Sequence, residues 1–441
     1  MTKASSWGSF TALIETGSLI SNSNEEIMMI TVAEAIDQIL QTINPLGLER
    51  VTILDALGRV LGEDVTAGRN IPPKDNSAMD GYALRFQDTI GAAPNKPVVL
   101  EVIEDLPAGV IPQKSIAAGQ AARIMTGAPI PVGADAVMKM ENTEKDGQKV
   151  RIKAEADRGQ DIRCAGEDVR EGELVMPRGT IVRPAGIGML ASLGRSFISV
   201  YQRPLIAVLA TGNELVDIDE SPSPWKIINS NSYSLASQVL DCGALSMQMG
   251  IAKDNREDLI AKFQSAMRAD IIISSGGVSV GDYDLVKDIM QEVGSRMQFW
   301  QVAMRPGKPL AYGRAGNVPM FGLPGNPVSS MISFEQFIRP AILKMMGHQN
   351  IFRKTVRAVL HDDIKKGKGL THFIRALVKV DAGGYTVSTT GEQGSGILKS
   401  MVRANGLIVL PENVERVNSG AEVKVQLLDS SLGWTPRPDY L

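Results

Sequence analysis

The chain has 441 residues, with 46 Lys plus Arg against 49 Asp plus Glu, a net charge of −3. That balance excludes a general electrostatic attraction to nucleic acid or to an anionic membrane, and 5% aromatic residues leave few rings for a single-strand stacking platform. With 44% hydrophobic residues the length supports two to four domains with substantial cores.

Residues 1–29 are rich in Ser, Thr and Asn, carry Glu15, Glu25 and Glu26, and resemble neither a signal peptide nor a transit peptide; they read as a flexible tail. Ordered sequence starts at Thr31, where Thr31 and Glu34 have capping-box spacing and Val32, Ile36, Ile39, Leu40 and Ile43 recur at helical period. From about 48 to 203 the texture is short alternating strands broken by Gly and Pro, such as 97–103 and 150–153, with a short helix near 184–193. Two β-rich units are expected there, one inserted into the other: an elongated domain from 30–70 and 158–203, and an inserted β domain from 71–157.

From 204 the pattern alternates strand and helix, with strands at 205–210, 246–251 and 270–274 and helices at 230–240, 255–268 and 284–291. This predicts a parallel, doubly wound α/β domain over 204–350, with ligands held beyond the carboxyl ends of its strands. After a helix over 328–346, strands at 373–380, 407–410 and 422–427 predict a terminal β-barrel over 351–441.

The chemistry concentrates in four loops of the α/β region. Thr211-Gly212-Asn213-Glu214 puts a carboxylate beside small residues at a strand end. Ser274-Ser275-Gly276-Gly277-Val278-Ser279, running on to Gly281, Asp282 and Asp284, offers hydroxyls, glycine amides and a helix start, which together form an anion cradle. Arg305-Pro306-Gly307-Lys308 presents two cations on a tight turn, suited to phosphate or oxyanion charge. Pro324-Gly325-Asn326 opens a further helix at the same edge. Two acidic loops lie outside this region, one around Asp75 to Asp80 and one from Asp161 to Asp168. Carboxylates converging on a phosphate suggest Mg2+, which takes oxygen ligands.

Other readings are weaker. Neither the P-loop pattern nor the dinucleotide fingerprint occurs. Gly277-Val278-Ser279-Val280-Gly281 fits a serine-hydrolase elbow, but His348, His361 and His372 all follow the α/β region, so Ser279 lacks a plausible base. Cys164 and Cys242 have neither disulfide nor metal spacing and read as reduced thiols of a cytoplasmic protein. No apolar run approaches the roughly 20 residues needed to cross a bilayer.

Asp75 to Ala83, Ile124 to Pro129, Gly166 to Asp168, Thr211 to Leu215, Ser274 to Asp284, Arg305 to Pro309 and Gly322 to Pro327 closely resemble, in order and spacing, the motifs of the MoeA family of molybdopterin molybdenumtransferases. The resemblance covers about 30–428. It implies insertion of molybdate into adenylylated molybdopterin with release of AMP, Mg2+ dependence, a homodimer with a cleft shared between subunits, and a separate molybdopterin adenylyltransferase that supplies the substrate. It further implies that Asp80, Asp168, Glu214, Asp284 and Lys308 carry the chemistry, with Glu214 and Asp284 on the metal. Substrate contacts are implied for Thr126, Arg163, Thr211, Gly212, Asp254, Ser275, Gly276, Gly277, Ser279, Arg305, Gly307, Pro324, Gly325, Asn326 and Ser395, and Arg375 matches a weaker position. Asn213 stands where relatives often have Asp. A non-catalytic molybdopterin-binding scaffold on the same fold is the alternative; retention of the acidic set argues against it.

Overall fold

Thr31 caps the first helix, Val32–Thr42, through the reciprocal arrangement its spacing predicts: its hydroxyl accepts from the Glu34 amide at 3.2 Å, and the Glu34 carboxylate accepts from the Thr31 amide at 2.7 Å. The computed structural model describes residues 29–278, 285–381 and 383–438. The buried stripe of this helix, Ala35, Ile39 and Ile43, does not close a unit of its own. It enters the same hydrophobic cluster as Ile206, Val208, Ile271, Ile273 and Phe321, far along the chain. Thr42 and Tyr312 share a hydrogen bond at 2.5 Å, and Arg314 Nη1 donates to the Thr42 carbonyl at 2.8 Å, which pins the helix end.

Beyond it, antiparallel pairs bring two chain segments together. Leu48–Thr52 pairs with Phe197–Tyr201, Val65–Thr66 with Leu174–Met176, and Asn76–Ser77 with Ile162–Arg163. Between these segments the chain forms a six-stranded sheet in the order Ala136–Lys139, Gly81–Leu84, Gln120–Ile124, Val98–Leu106, Lys149–Ile152, Thr143–Asp146.

The α/β region centres on a second six-stranded sheet. Leu245–Ala252, Leu205–Thr211, Ile271–Ser275 and Val318–Leu323 run parallel, followed by Pro309–Ala315 and Ser295–Gln301. Alternate residues of Leu205–Thr211 serve opposite layers: Ile206 and Val208 pack with Leu235 and Val239, while Ala207 and Leu209 pack with Leu259 and Phe263. Helices cover both faces, so the strand is a continuous apolar run. The sheet departs from a wholly parallel pattern at Pro309–Ala315, which runs against its neighbours. The cause is local. Ala315 pairs with Val318 across the two residues Gly316 and Asn317, with Gly316 at φ 59, and so short a link permits only a hairpin.

The helix expected over 328–346 is three pieces: Pro327–Ser333, a π turn Phe334–Ile338, and Arg339–Met345. It leads into a closed barrel of Thr355–Leu360, Glu422–Leu427, Gly406–Leu410, Thr371–Asp381 and Gly384–Thr389, each strand paired to the next and the last back to the first. The strand Met304–Arg305 leaves the α/β region and pairs in parallel with Thr371 and His372, stitching barrel to sheet beside the loop predicted to bind anions. Among the described residues no helix is long and apolar enough to cross a membrane.

Candidate active site

The carboxyl ends of the parallel strands open onto a cavity of about 760 Å3. Thr211 forms its floor. The residue is buried, and its hydroxyl oxygen has no hydrogen-bond partner among the described residues. Gly276 and Gly277 lean on it with φ of 96° and 65°, where a Cβ would lie 2.5 Å from the Thr211 carbonyl oxygen and 2.6 Å from Val286 Cγ2, respectively. Only glycine tolerates both the left-handed backbone and that approach. Gly212, at φ 148°, lies against Glu214, whose carboxylate oxygens would both stand 2.6 Å from a Cβ there.

Two strand-end loops brace one another. The Asn213 amide donates to Asp254 Oδ2 at 2.8 Å, and the Asp254 amide donates to Asn213 Oδ1 at 3.1 Å. This reciprocal pair gives Asn213 a job that an aspartate would perform only by setting a second carboxylate beside Asp254. Asn231 Nδ2 bridges two further loops, donating to Ser275 Oγ and to the Gly325 carbonyl, both at 2.8 Å. Ser275 therefore acts as an acceptor behind the cavity rather than on its wall.

Arg305 and Lys308 also line the cavity, and both are exposed. Neither forms an ion pair with a described carboxylate. Gly307 between them, at φ 102, leaves room for Ser333, whose hydroxyl would lie 2.7 Å from a Cβ. Two cations without a described carboxylate partner, in one cavity with glycine amides, suit an anionic ligand.

The third wall comes from the barrel: Leu370, Gln393, Gly394 and Ser395. Buried Arg375 holds it from behind, with Nε donating to Ser400 Oγ at 3.0 Å and Nη2 to the Gly394 carbonyl at 2.9 Å. Burial without a carboxylate partner pulls its guanidinium down to about 10. Gln393 pairs with the Arg375 backbone in both directions, at 2.9 and 3.1 Å.

The structure thus gathers Thr211, Gly212, Glu214, Asp254, Gly276, Gly277, Arg305, Gly307, Lys308, Pro324, Gly325, Asn326 and Ser395 around one cavity, with Gly325 packed beside Gly276. Ser279 and Asp284 lie outside the described residues. Asp80, Thr126, Arg163 and Asp168 do not line this cavity; they sit on adjoining loops of the region before it. There the Thr126 amide and hydroxyl both donate to Asp80 Oδ1 at 2.7 Å, which lowers the Asp80 pKa below its usual 3.8. Gln393, Gly394, Ser329 and Leu370 line the cavity without having been expected. A Gly-rich run after a strand, Gly391 to Gly396, was the available signal for the first two.

Glu214 and Asp254 are the described carboxylates on the cavity wall, and no group of three His, Cys, Asp or Glu among the described residues is arranged to hold a metal. That donor set fits a hard cation completing its shell from phosphate and water, as Mg2+ does. None of the three histidines lines the cavity, so a serine nucleophile there would have no imidazole base.

Comparison with known proteins finds three family models that match successive regions of the chain. Residues 30–194 match the MoeA N-terminal region (domain I and II), 207–344 a domain described as probable molybdopterin binding, and 357–428 the MoeA C-terminal region (domain IV). Molybdopterin molybdenumtransferase 2 of Mycobacterium tuberculosis is 41% identical over 385 residues, 85% of this chain and 94% of the relative. The Bacillus subtilis molybdopterin molybdenumtransferase is 35% identical over 409 residues, 92% and 95% of the two chains. A crystal structure of the molybdopterin biosynthesis MoeA protein of Pyrococcus horikoshii OT3 superposes with a TM-score of 0.77 at 32% identity, covering 91% of this chain and all of that one. With three regional matches in order and relatives this similar over nearly their whole length, the chain belongs to the MoeA family, transferases of molybdenum cofactor biosynthesis.

Proposed function

We propose that this chain inserts molybdate into adenylylated molybdopterin and releases AMP, with Mg2+ in the cleft. The observation that carries the reading is a single cavity holding Arg305 and Lys308, neither paired with a described carboxylate, together with the glycine amides and the Thr211 hydroxyl, which has no described partner. Phosphoryl chemistry asks little covalent work of a protein and much charge neutralisation and positioning. In this scheme Gly276 and Gly277 hold a phosphate by their amides, and Thr211 donates its hydroxyl to an oxygen. Arg305 and Lys308 neutralise the anhydride and the incoming oxyanion, and Ser395 closes the barrel side. Glu214, with Asp254 and the sequence-expected Asp284, would hold Mg2+, which supplies positive charge to the departing AMP phosphate.

Asp80, Thr126, Arg163 and Asp168 lie off the cavity of their own chain. We propose that a homodimer brings them to the partner's cleft, where they place molybdate and its leaving oxygens. A separate adenylyltransferase would deliver the substrate. The four-domain division, 30–70 with 158–203, 71–157, 204–350 and 351–441, belongs to the same proposal, as does a cytoplasmic setting.

The test is AMP release and cofactor formation from adenylylated molybdopterin, molybdate and Mg2+, comparing wild type with Glu214→Gln, Asp284→Ala and Lys308→Ala. Turnover by wild type and a loss of about a hundredfold or more in each variant is expected. A wild type that binds the substrate yet never releases AMP would sink the enzymatic reading in favour of the scaffold.

A further inference from the structure

Two of the helices that begin at the cavity end together at a buried charge cluster. Helix Asn231–Asp241 starts at the bridging Asn231 and, at eleven residues, carries its far end about 16 Å away. The helix opened by Asn326 reaches the π turn Phe334–Ile338. There Glu335, 5% exposed, accepts from Arg339 Nε at 2.7 Å and Nη2 at 2.8 Å, from Arg353 Nε at 2.7 Å, and from Gln238 Nε2 at 2.9 Å. Asp241 at the end of the other helix accepts from Arg339 Nη2 at 2.8 Å and Arg353 Nη2 at 3.3 Å. Burial opposes the Glu335 charge, but the bonds from the two guanidiniums outweigh it and hold the carboxyl below its usual range.

The cluster also reaches the barrel. Arg353 Nη1 donates to the Leu428 carbonyl, just past the last barrel strand, at 2.7 Å, and the next residue of the π turn, Gln336, donates to Gln426 of that strand at 2.7 Å. At the cavity end the same two bodies meet through the Val328 amide, which donates to the Ser395 carbonyl at 3.1 Å. Directional, fully bonded charges fix an orientation that apolar packing alone leaves free, while costing desolvation.

We infer that Glu335, Arg339, Arg353 and Asp241 form a clamp that sets how the terminal barrel sits on the α/β body, and that Arg353 is a positioning residue for the barrel wall of the cavity. The clamp acts through Gln393, Gly394 and Ser395, and so on substrate binding rather than on the reacting atoms. Its effect on catalysis rests on the proposed function; its effect on the seam does not.

The experiment uses the full chain and two variants of Arg353, the clamp residue that reaches the barrel and, at 21% exposed, less buried than Arg339 at 7% or Glu335 at 5%. Hydrogen exchange of the Val328 amide reads the seam, and steady-state kinetics read the site. Arg353→Met is expected to speed exchange at Val328 and raise KM for adenylylated molybdopterin about tenfold with kcat within about twofold, and Arg353→Lys to recover part of both. Unchanged exchange at Val328 overturns the clamp. So does a fall in kcat at constant KM that tracks a lowered melting temperature, which is the mark of simple destabilisation. If exchange responds while the wild type shows no turnover, the clamp stands and the enzymatic reading falls.

Discussion

At Gly276 a single methyl group decides whether the anion cradle exists. The residue holds φ of 96°, and the added Cβ would press to 2.5 Å from a backbone oxygen of Thr211, an atom that cannot swing aside. Gly276→Ala is therefore expected to abolish measurable binding of phosphate-bearing ligand, read by calorimetry, while Gly391→Ala, at φ 96° but with open space around it, leaves binding intact. Equal binding by both variants would show that the close approach is not required. Asp80 offers a second test at this scale. Its pKa is depressed first by the Thr126 amide and then by the Thr126 hydroxyl. A carboxylate with a depressed folded pKa contributes stability above its unfolded value and loses it as pH falls through the folded one. Thr126→Val removes the hydroxyl and keeps the amide, so the Asp80 midpoint should move only part of the way back toward 3.8 in a carboxyl-carbon NMR titration. A full return would mean that the amide contributes nothing.

Among the elements, the strand Thr371–Asp381 carries the clearest pH dependence. His372 on it is held down to about 4, by burial first and then by the charges of Lys366 and Arg305. The unfolded chain binds this proton at about 6.5, so between 6.5 and 4 the unfolded state takes up more protons than the folded one. The histidine's contribution is thus complete above 6.5 and lost progressively as pH drops toward 4. His372→Gln should flatten that portion of the stability curve measured by denaturant titration; an unaltered slope there would remove His372 as its cause. The element scale also shows what a linear sequence conveys. The four cavity loops were legible because glycine and proline signal special backbone at short range, and the capping box of Thr31 and Glu34 is likewise a matter of three residues. The brace from Asn231 to Ser275 and Gly325, the wall residue Gln393, and the π turn at Glu335 were not legible. Each depends on a partner between 18 and 97 positions away, or on a helix distorted to reach one. The reversed strand Pro309–Ala315 was written in Gly316-Asn317, but the surrounding strand–helix alternation masked it.

On the scale of the whole molecule, the first helix and the last barrel both converge on the α/β core: Ile39 from one and Phe373, Met401 and Leu407 from the other share a cluster with the sheet. Ile39→Ala should cost about 2–5 kcal/mol, the usual range for emptying such a site, and a loss under about 1 kcal/mol in urea titration would show that the helix is peripheral. The remaining question is how Asp80, on loops that do not line the cavity, could serve the same reaction as Glu214. In a two-fold dimer with shared clefts, each site takes its α/β half from one chain and its acidic loop from the other. Asp80→Ala and Glu214→Ala proteins, each inactive alone, then complement. A mixed dimer holds one cleft with both defects and one with neither, so random exchange between equal amounts should restore about a quarter of wild-type AMP release. Two sites completed within single chains would restore nothing on mixing, and that result would separate Asp80 from the chemistry at the strand ends.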